Sequence, residues 1–302
     1  MSTDAVLREL LVRQLDFWLP QALQRSRRAT LALAYAGGDT AGAEAALRAV
    51  AGFADRLRGR RLTVLVLTDG GAELPARLGA AEAALPADVA VHAVPGRPDR
   101  LPVLLKAAGA AGAPLLTVVD GGDPAPAVLA GAASGHPAEL LLVTEPGRSL
   151  RPALAAAGFP LVTEVELVPA GDAPTRLLGY ATGSDRALEA LKDGLWAVGE
   201  DAGMLYRDPA DPAACPVAVT LDPEPGPLRR ELLAELARSG PRTVTELRRF
   251  ATTATVYRAA DANRTLATLL AAGAVTREPE QGRLGGDVMI TAAPAGTAGP
   301  AA

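Results

Sequence analysis

The residues able to do chemistry gather at three short turns. Each turn follows an apolar run. Tyr35-Ala36-Gly37-Gly38 follows Thr30–Tyr35, Thr68-Asp69 closes Leu62–Thr68, and Asp120-Gly121-Gly122-Asp123 follows Leu115–Val119. Glycines in the first turn let the backbone take positive φ and approach a ligand closely, although the same residues serve a plain strand-to-helix turn. Asp69 is placed to accept hydrogen bonds from ribose hydroxyls or to cap the helix that follows. Asp120 and Asp123 offer carboxylates that could act as a base or orient an acceptor, and Asp123 is equally a helix N-cap.

Other chemistries are poorly supplied. A single cysteine, Cys215, rules out an internal disulfide, and with only His92 and His136 beside it no Cys/His metal site is expected. Neither Gly-x-Ser-x-Gly nor a Walker-type Gly-Lys-Ser/Thr occurs. His136 precedes a strand, at the edge away from such turns, and reads as a surface residue. His92 falls within a strand and reads as packing. Trp18 and Trp196 lie on apolar helix faces and read as core.

The elements that must hold these turns alternate strand and helix. An amphipathic helix opens the chain over Ala5–Arg25, with Pro20 as a kink or boundary. Strands then fall at Thr30–Tyr35, Leu62–Thr68, Val89–Val94, Leu115–Val119 and Glu139–Thr144. Helices lie between and after them at Ala41–Leu57, Ala72–Leu85, Arg97–Ala111, Ala125–Ala133 and Leu150–Ala157. Short unbroken apolar strands suit a parallel sheet covered on both faces, where ligands sit at the carboxyl ends near the switch point. Leu161–Val168 and Arg176–Thr182 read as an antiparallel pair, and Asp185–Val198 as a helix. A five-strand parallel sheet closed by an antiparallel pair is the arrangement expected of S-adenosylmethionine methyltransferases, an analogy of fold alone.

Residues 1–207 therefore read as one α/β domain, and 208–226, rich in Pro and Asp, as a linker that is packed rather than free. Residues 227–291 read as a winged helix. Helices are expected at Leu228–Ser239, from a capping box at Thr243-Val244-Thr245-Glu246 through Phe250, and at Tyr257–Ala272, with strands Ala274–Glu278 and Asp287–Thr291. Residues 292–302 read as an unstructured Ala/Gly/Pro tail. The winged-helix segment is modestly basic. In a DNA-reading role Arg258, Asn263 and Arg264 would face the groove, with Arg283 in the wing. The helix is otherwise Ala and Leu, which suits protein contact as well.

Net charge is −4 over 302 residues, so the whole chain is no polycation. The bias toward Ala, Arg, Gly and Pro, with only Lys106 and Lys192 as lysines, reads as base composition. The N-terminus lacks a basic segment followed by an apolar one, and no uncharged apolar run reaches the ~20 residues of a membrane span. A cytoplasmic location is expected.

Several segments resemble the three-Cys-motif partner proteins (TcmP family). These are Leu178-Gly179-Tyr180-Ala181-Thr182, the helix Ala187–Val198 with Lys192-Asp193-Gly194-Leu195-Trp196 at its centre, and Trp18-Leu19-Pro20 in the opening helix. Thr243–Leu247, Thr255–Tyr257 and Leu269–Val275 continue the likeness. The resemblance implies a methyltransferase-like fold, S-adenosylmethionine at Tyr35, Ala36, Gly37, Gly38 and Asp69, and a partner protein carrying three cysteines. The family reads Asp-x-Phe-Ala-Gly-Pro-Gly at the first strand end. Here Leu33 stands at the acid and Gly38-Asp39 at Pro-Gly. The family's acidic cluster after strand two is reduced to Asp69. Its Asp-Pro-Phe-Gly after strand four becomes Asp120-Gly121-Gly122-Asp123-Pro124. A degenerate, non-catalytic member that binds a partner protein or nucleic acid is the first expectation. An active S-adenosylmethionine-dependent methyltransferase and a DNA-binding regulator are the alternatives, and self-association as a homo-oligomer stays open.

Overall fold

The computed structural model describes residues 1–37, 41–69, 74–122, 124–171, 173–211, 213, 215–220 and 222–293. The chain divides into two compact units, Met1–Val219 and Thr220–Ala302. Gly38, Asp39 and Asp123 lie outside the described residues, as does the tail from 294 onward.

The first unit opens with α1 (Thr3–Arg25). It continues β1 (Arg28–Tyr35), α2 (Ala41–Ala51), α3 (Ala54–Leu57), β2 (Arg61–Thr68), α4 (Leu74–Glu82) and β3 (Val89–Pro95). A 3-10 turn at Pro98–Arg100 leads into α5 (Leu101–Ala107), then β4 (Leu115–Asp120), α6 (Pro126–Ala132), β5 (Ala138–Thr144) and α7 (Arg151–Ala156). The series ends β6 (Leu161–Val168), β7 (Arg176–Thr182), α8 (Asp185–Ala202), β8 (Leu205–Arg207) and β9 (Val217–Ala218). One mixed sheet has the order β3-β2-β1-β4-β5-β7-β6-β8-β9. β1 to β5 are joined by parallel pairings, and β7 lies antiparallel between β5 and β6. The unit is an α/β fold of Rossmann-like kind, and its order reverses between β1 and β4.

Burial explains why these runs became strands. Seven of the eight β1 residues are buried, as strands covered on both faces require. On one face Ala32, Ala34, Leu65, Leu67, Leu140 and Leu142 pack with Leu101, Leu105, Val128, Leu129 and Leu154 of α5, α6 and α7. Alternation sends Leu31 and Leu33, both fully buried, to the other face. There α1 packs against α2 and α8. A polar cluster lies among these apolar contacts. Gln14 Nε2 of α1 donates to Glu139 Oε2 at 2.8 Å and to the Tyr180 hydroxyl at 3.0 Å, and that hydroxyl donates to Glu139 Oε2 at 2.6 Å. Burial pushes the Glu139 carboxyl upward, and its two hydrogen bonds oppose the shift. Elsewhere buried Glu164 accepts from Ser149 Oγ, Leu150 N and Arg151 Nε, which fixes the start of α7 against β6.

The last helix of this unit is well bounded. Ser184 caps α8 at its start through Ala187 N, and Gly203 ends it at φ 64°. Trp196 meets Tyr206 edge to face with centroids 6.0 Å apart. A Cβ at Gly199 would overlap the Tyr206 ring, so glycine is required for that seat.

Three expectations are corrected. α1 runs through Pro20 without stopping. Trp18, Leu19, Ala22 and Leu23 are buried on both sides of the proline, and Gln21 Nε2 donates to Phe17 O at 3.2 Å beside the gap in the ladder. The helix expected over Ala41–Leu57 breaks at Gly52-Phe53, where Gly52 N and Phe53 N turn back to Ala49 O and Val50 O. His92 is exposed, because β3 is a sheet edge. Within the Pro/Asp-rich stretch β9 pairs antiparallel with β8, which pairs with β6, so that part of it is packed.

The second unit holds α9 (Gly226–Ser239), β10 (Arg242–Thr243), α10 (Val244–Ala254), α11 (Ala259–Ala271), β11 (Val275–Glu278) and β12 (Met289–Ala292). Its strands form an antiparallel sheet in the order β10-β12-β11. Leu228, Leu232, Leu247, Leu266, Leu269 and Ile290 form the buried interior. The capping box is present: Glu246 N donates to Thr243 Oγ1 at 3.2 Å, and Thr243 N donates to Glu246 Oε2 at 2.8 Å. Thr243 N and the Thr243 hydroxyl, both donating to Glu246 Oε2, hold that carboxyl below its ordinary range. Among the described residues no helix is long and apolar enough to cross a membrane, and no three metal-ligating side chains cluster.

Candidate functional site

The ends of β1, β4 and β5 are laced by main-chain bonds. Ala36 N donates to Asp120 O at 2.8 Å, and Gly121 N donates to Val143 O at 2.9 Å. Thr68 Oγ1, from the end of β2, donates to Gly37 O at 2.8 Å. Two glycines are required here. Gly121 sits at φ 90°, and a Cβ on it would come within 2.8 Å of Ala36 Cβ. A Cβ on Gly42, at the start of α2, would stand 2.7 Å from the Tyr35 hydroxyl.

Above this floor is a cavity of about 220 Å³. Tyr35, Gly37, Ala41 and Gly42 supply one wall, Val118, Asp120, Gly121, Leu141 and Val143 the floor, and Asp4, Leu7, Arg8 and Leu11 of α1 the other wall. Arg176, the first residue of β7, completes it. Its guanidinium pairs with Glu145 at 3.2 Å. Two arginines and two aspartates thus surround an apolar base, a set able to hold a small ligand carrying both charges. Small-molecule sites span about 300–1,000 Å³, so this crevice lies below the usual range.

Of the residues singled out in the sequence, Tyr35, Gly37 and Asp120 converge on the crevice. Ala36 contributes its amide to the lacing. Asp69 is exposed next to the turn and does not line the cavity. Gly38 and Asp123 lie outside the described residues. Asp4, Arg8 and Arg176 were not anticipated. Asp4 and Arg8 stand one helical turn apart, a spacing that puts them on one face. Arg176 was recoverable from topology, since a strand antiparallel to β5 must begin where β5 ends.

In the second unit the arginines are largely engaged. Arg258, the N-cap of α11, is 7 % exposed and binds Asp261 through Nε at 2.9 Å and Nη2 at 2.8 Å. That bidentate seat makes it part of the helix start and removes it from any groove. Arg264 binds Asp222 and Asp261, each at 2.6 Å. Asn263 is half-buried and Arg283 is exposed. Arg277 closes the β11–β12 turn by donating to the carbonyls of Pro279, Gly282 and Arg283 at 2.9, 3.0 and 3.1 Å. A hollow of about 360 Å³ beside α11 is lined by Asp222, Glu224, Tyr257, Asp261 and Arg264 among others. Burial, helped by Glu231, Asp261 and Glu224, pushes the Tyr257 hydroxyl up to about 12. No family model and no curated protein matches the chain.

Proposed function

We propose that this chain is a methyltransferase-fold protein that has given up methyl transfer and works by binding a macromolecular partner. The observation that carries the reading is the crevice at the switch point, which keeps its backbone while none of its described lining acids comes from β1 or β2. Leu33, fully buried in β1 and outside the lining, stands where the resembled family has a carboxylate, and Asp69 also lies outside the lining. The strand order supports the fold side of the reading, because a seventh strand antiparallel between the fifth and sixth is what methyltransferase-type sheets have. The residues present do not fit whole S-adenosylmethionine: the cavity is about 220 Å³, and no described lining acid comes from β2.

The second unit, with three helices and a three-stranded sheet, reads as a winged helix. Protein contact is favoured over DNA, because Arg258 and Arg264 on α11 are held by carboxylates. The unit carries ten arginines against nine carboxylates, a near-neutral balance that suits protein contact. A protein with a three-cysteine motif is the first partner to test. Calorimetry with S-adenosylmethionine and S-adenosylhomocysteine decides the cofactor question. No heat of binding is expected, and micromolar binding abolished by Asp69→Ala would overturn the non-catalytic reading. A salt-dependent DNA shift lost in Arg264→Ala would favour a DNA-binding regulator.

A further inference from the structure

The outer edge of β3 is open, and its backbone is self-complementary. β3 ends the sheet, and its burial is poor for a parallel strand: His92, Ala93 and Pro95 are exposed. The register and two bonds at the ends fix which groups point outward. Leu62 N donates to Asp88 O at 3.1 Å and Gly96 N to Thr68 O at 3.2 Å. In a parallel ladder the residues facing one neighbour alternate, so the even-numbered residues from 88 to 96 turn their backbone groups to β2. Val89, Val91, Ala93 and Pro95 turn theirs outward. Val89 N is taken by Pro86 O at 3.0 Å, and Pro95 has no N–H. Two donors remain, on Val91 and Ala93, with their two carbonyls.

We propose that a second copy of this chain adds to this edge, β3 against β3, antiparallel about a two-fold axis through His92. The centred register is the one that overlaps all seven residues of the strand. Val91 then exchanges both of its bonds with Ala93 of the second copy, and the reverse pair follows by symmetry. Pro95 falls opposite Val89; proline has no N–H for the Val89 carbonyl and Val89 N–H is already used, so that pair adds no bond and the ladder is confined to Val91 and Ala93. Charge favours this direction along the outermost row: Asp88 stands at the start of β3, with Arg61 of β2 behind it, and Arg97 and Arg100 lie beyond its end, with Asp99 between them and Asp69 behind. Antiparallel pairing sets the acidic end of one copy beside the basic end of the other. A parallel pairing would set like beside like. The edge also carries none of the lysines or bulges that guard exposed strands. Ala90, His92 and Val94 line a groove of about 600 Å³ with Leu104 and Ala107 of α5. The two-fold joins both grooves into one trough on a single face of the sheet. Val103 on α5, 73 % exposed, is a large apolar side chain on the helix that flanks it.

The test uses the full chain in sedimentation equilibrium. A two-chain species is expected, and Ala93→Pro weakens it by about 100-fold through two lost N–H donors. Because Ala93 N points outward, that proline leaves the β2 ladder intact, and the unfolding midpoint should not move. A second arm does not depend on that variant. In a Cys215→Ser background, His92→Cys should oxidise to a covalent dimer, since directly opposed Cβ atoms lie about 4.5–5.5 Å apart. Ala90→Cys should not cross-link, because it faces Val94 of the second copy. A monomer at every concentration, a dimer indifferent to Ala93→Pro, or cross-linking at Ala90→Cys without His92→Cys would each overturn the proposal.

Discussion

Tyr180→Phe is the sharpest probe of how α1 is held on the sheet, and so of one wall of the crevice. The substitution removes one oxygen and leaves the ring volume unchanged, so no cavity term enters. Two hydrogen bonds disappear, one donated to Glu139 at 2.6 Å and one accepted from Gln14 at 3.0 Å. A bond to a charged group contributes about 1.5–3 kcal/mol and a neutral one about 0.5–1.5 kcal/mol. Loss of both, with the carboxylate still buried, should cost about 2–4 kcal/mol at neutral pH. Urea unfolding followed by circular dichroism measures it. The pH dependence has a definite sign. Burial raises Glu139 above its ordinary 4.5, so the folded state keeps a proton that the unfolded chain releases. Stability from this group is therefore full below the ordinary value and falls as pH rises through it toward the folded value. Tyr180→Phe removes a bond that opposed the rise and should extend that fall to higher pH. Glu139→Gln should abolish it. A cost under about 0.5 kcal/mol, or stability at Tyr180→Phe that rises with pH across the same range, would refute the reasoning.

Gly121→Ala should destabilise the first unit by about 2–4 kcal/mol, through strain at positive φ and contact with Ala36; thermal unfolding reads it. Gly199→Ala should cost about 1–3 kcal/mol by displacing Tyr206, and the change should appear in near-ultraviolet circular dichroism of the Trp196–Tyr206 pair. Arg258→Ala should cost the second unit about 2–4 kcal/mol, because Asp261 stays buried with only Arg264 and the main-chain N–H of residue 258 as partners; Arg258→Lys should recover little, since lysine cannot supply the bidentate fork.

The alternation of strand and helix was legible because β1, β2, β4 and β5 are unbroken apolar runs bounded by glycine or proline, and burial on both faces demands that pattern. The antiparallel pair was legible as two such runs, Leu161–Val168 and Arg176–Thr182, close together in sequence. β8, β9 and β10 escaped because strands of two or three residues carry no period, and β8 and β9 flank a proline-rich stretch. His92 was misjudged because local sequence does not say which strand ends the sheet. The crevice was half legible. Its glycines and Asp120 lie at strand ends, where the fold concentrates ligands. Arg8 and Arg176 come from elements whose approach to those ends is set by tertiary packing. Arg258 looked like a groove reader, yet Asp261 three residues on is its partner, the spacing that brings side chains together across one helical turn.

The lacing of β1, β4 and β5 at their ends has a bearing on how such a cleft changes over time. Its shape is written in amides and carbonyls, so exchanging the side chains that line it leaves the contour standing. A lineage can therefore shed catalytic groups one by one without collapsing the hollow, and can refill it with groups for another ligand. The same independence makes it a ready platform for redesign: Val118→Asp would set a carboxylate in the lining of a hollow whose backbone is already built.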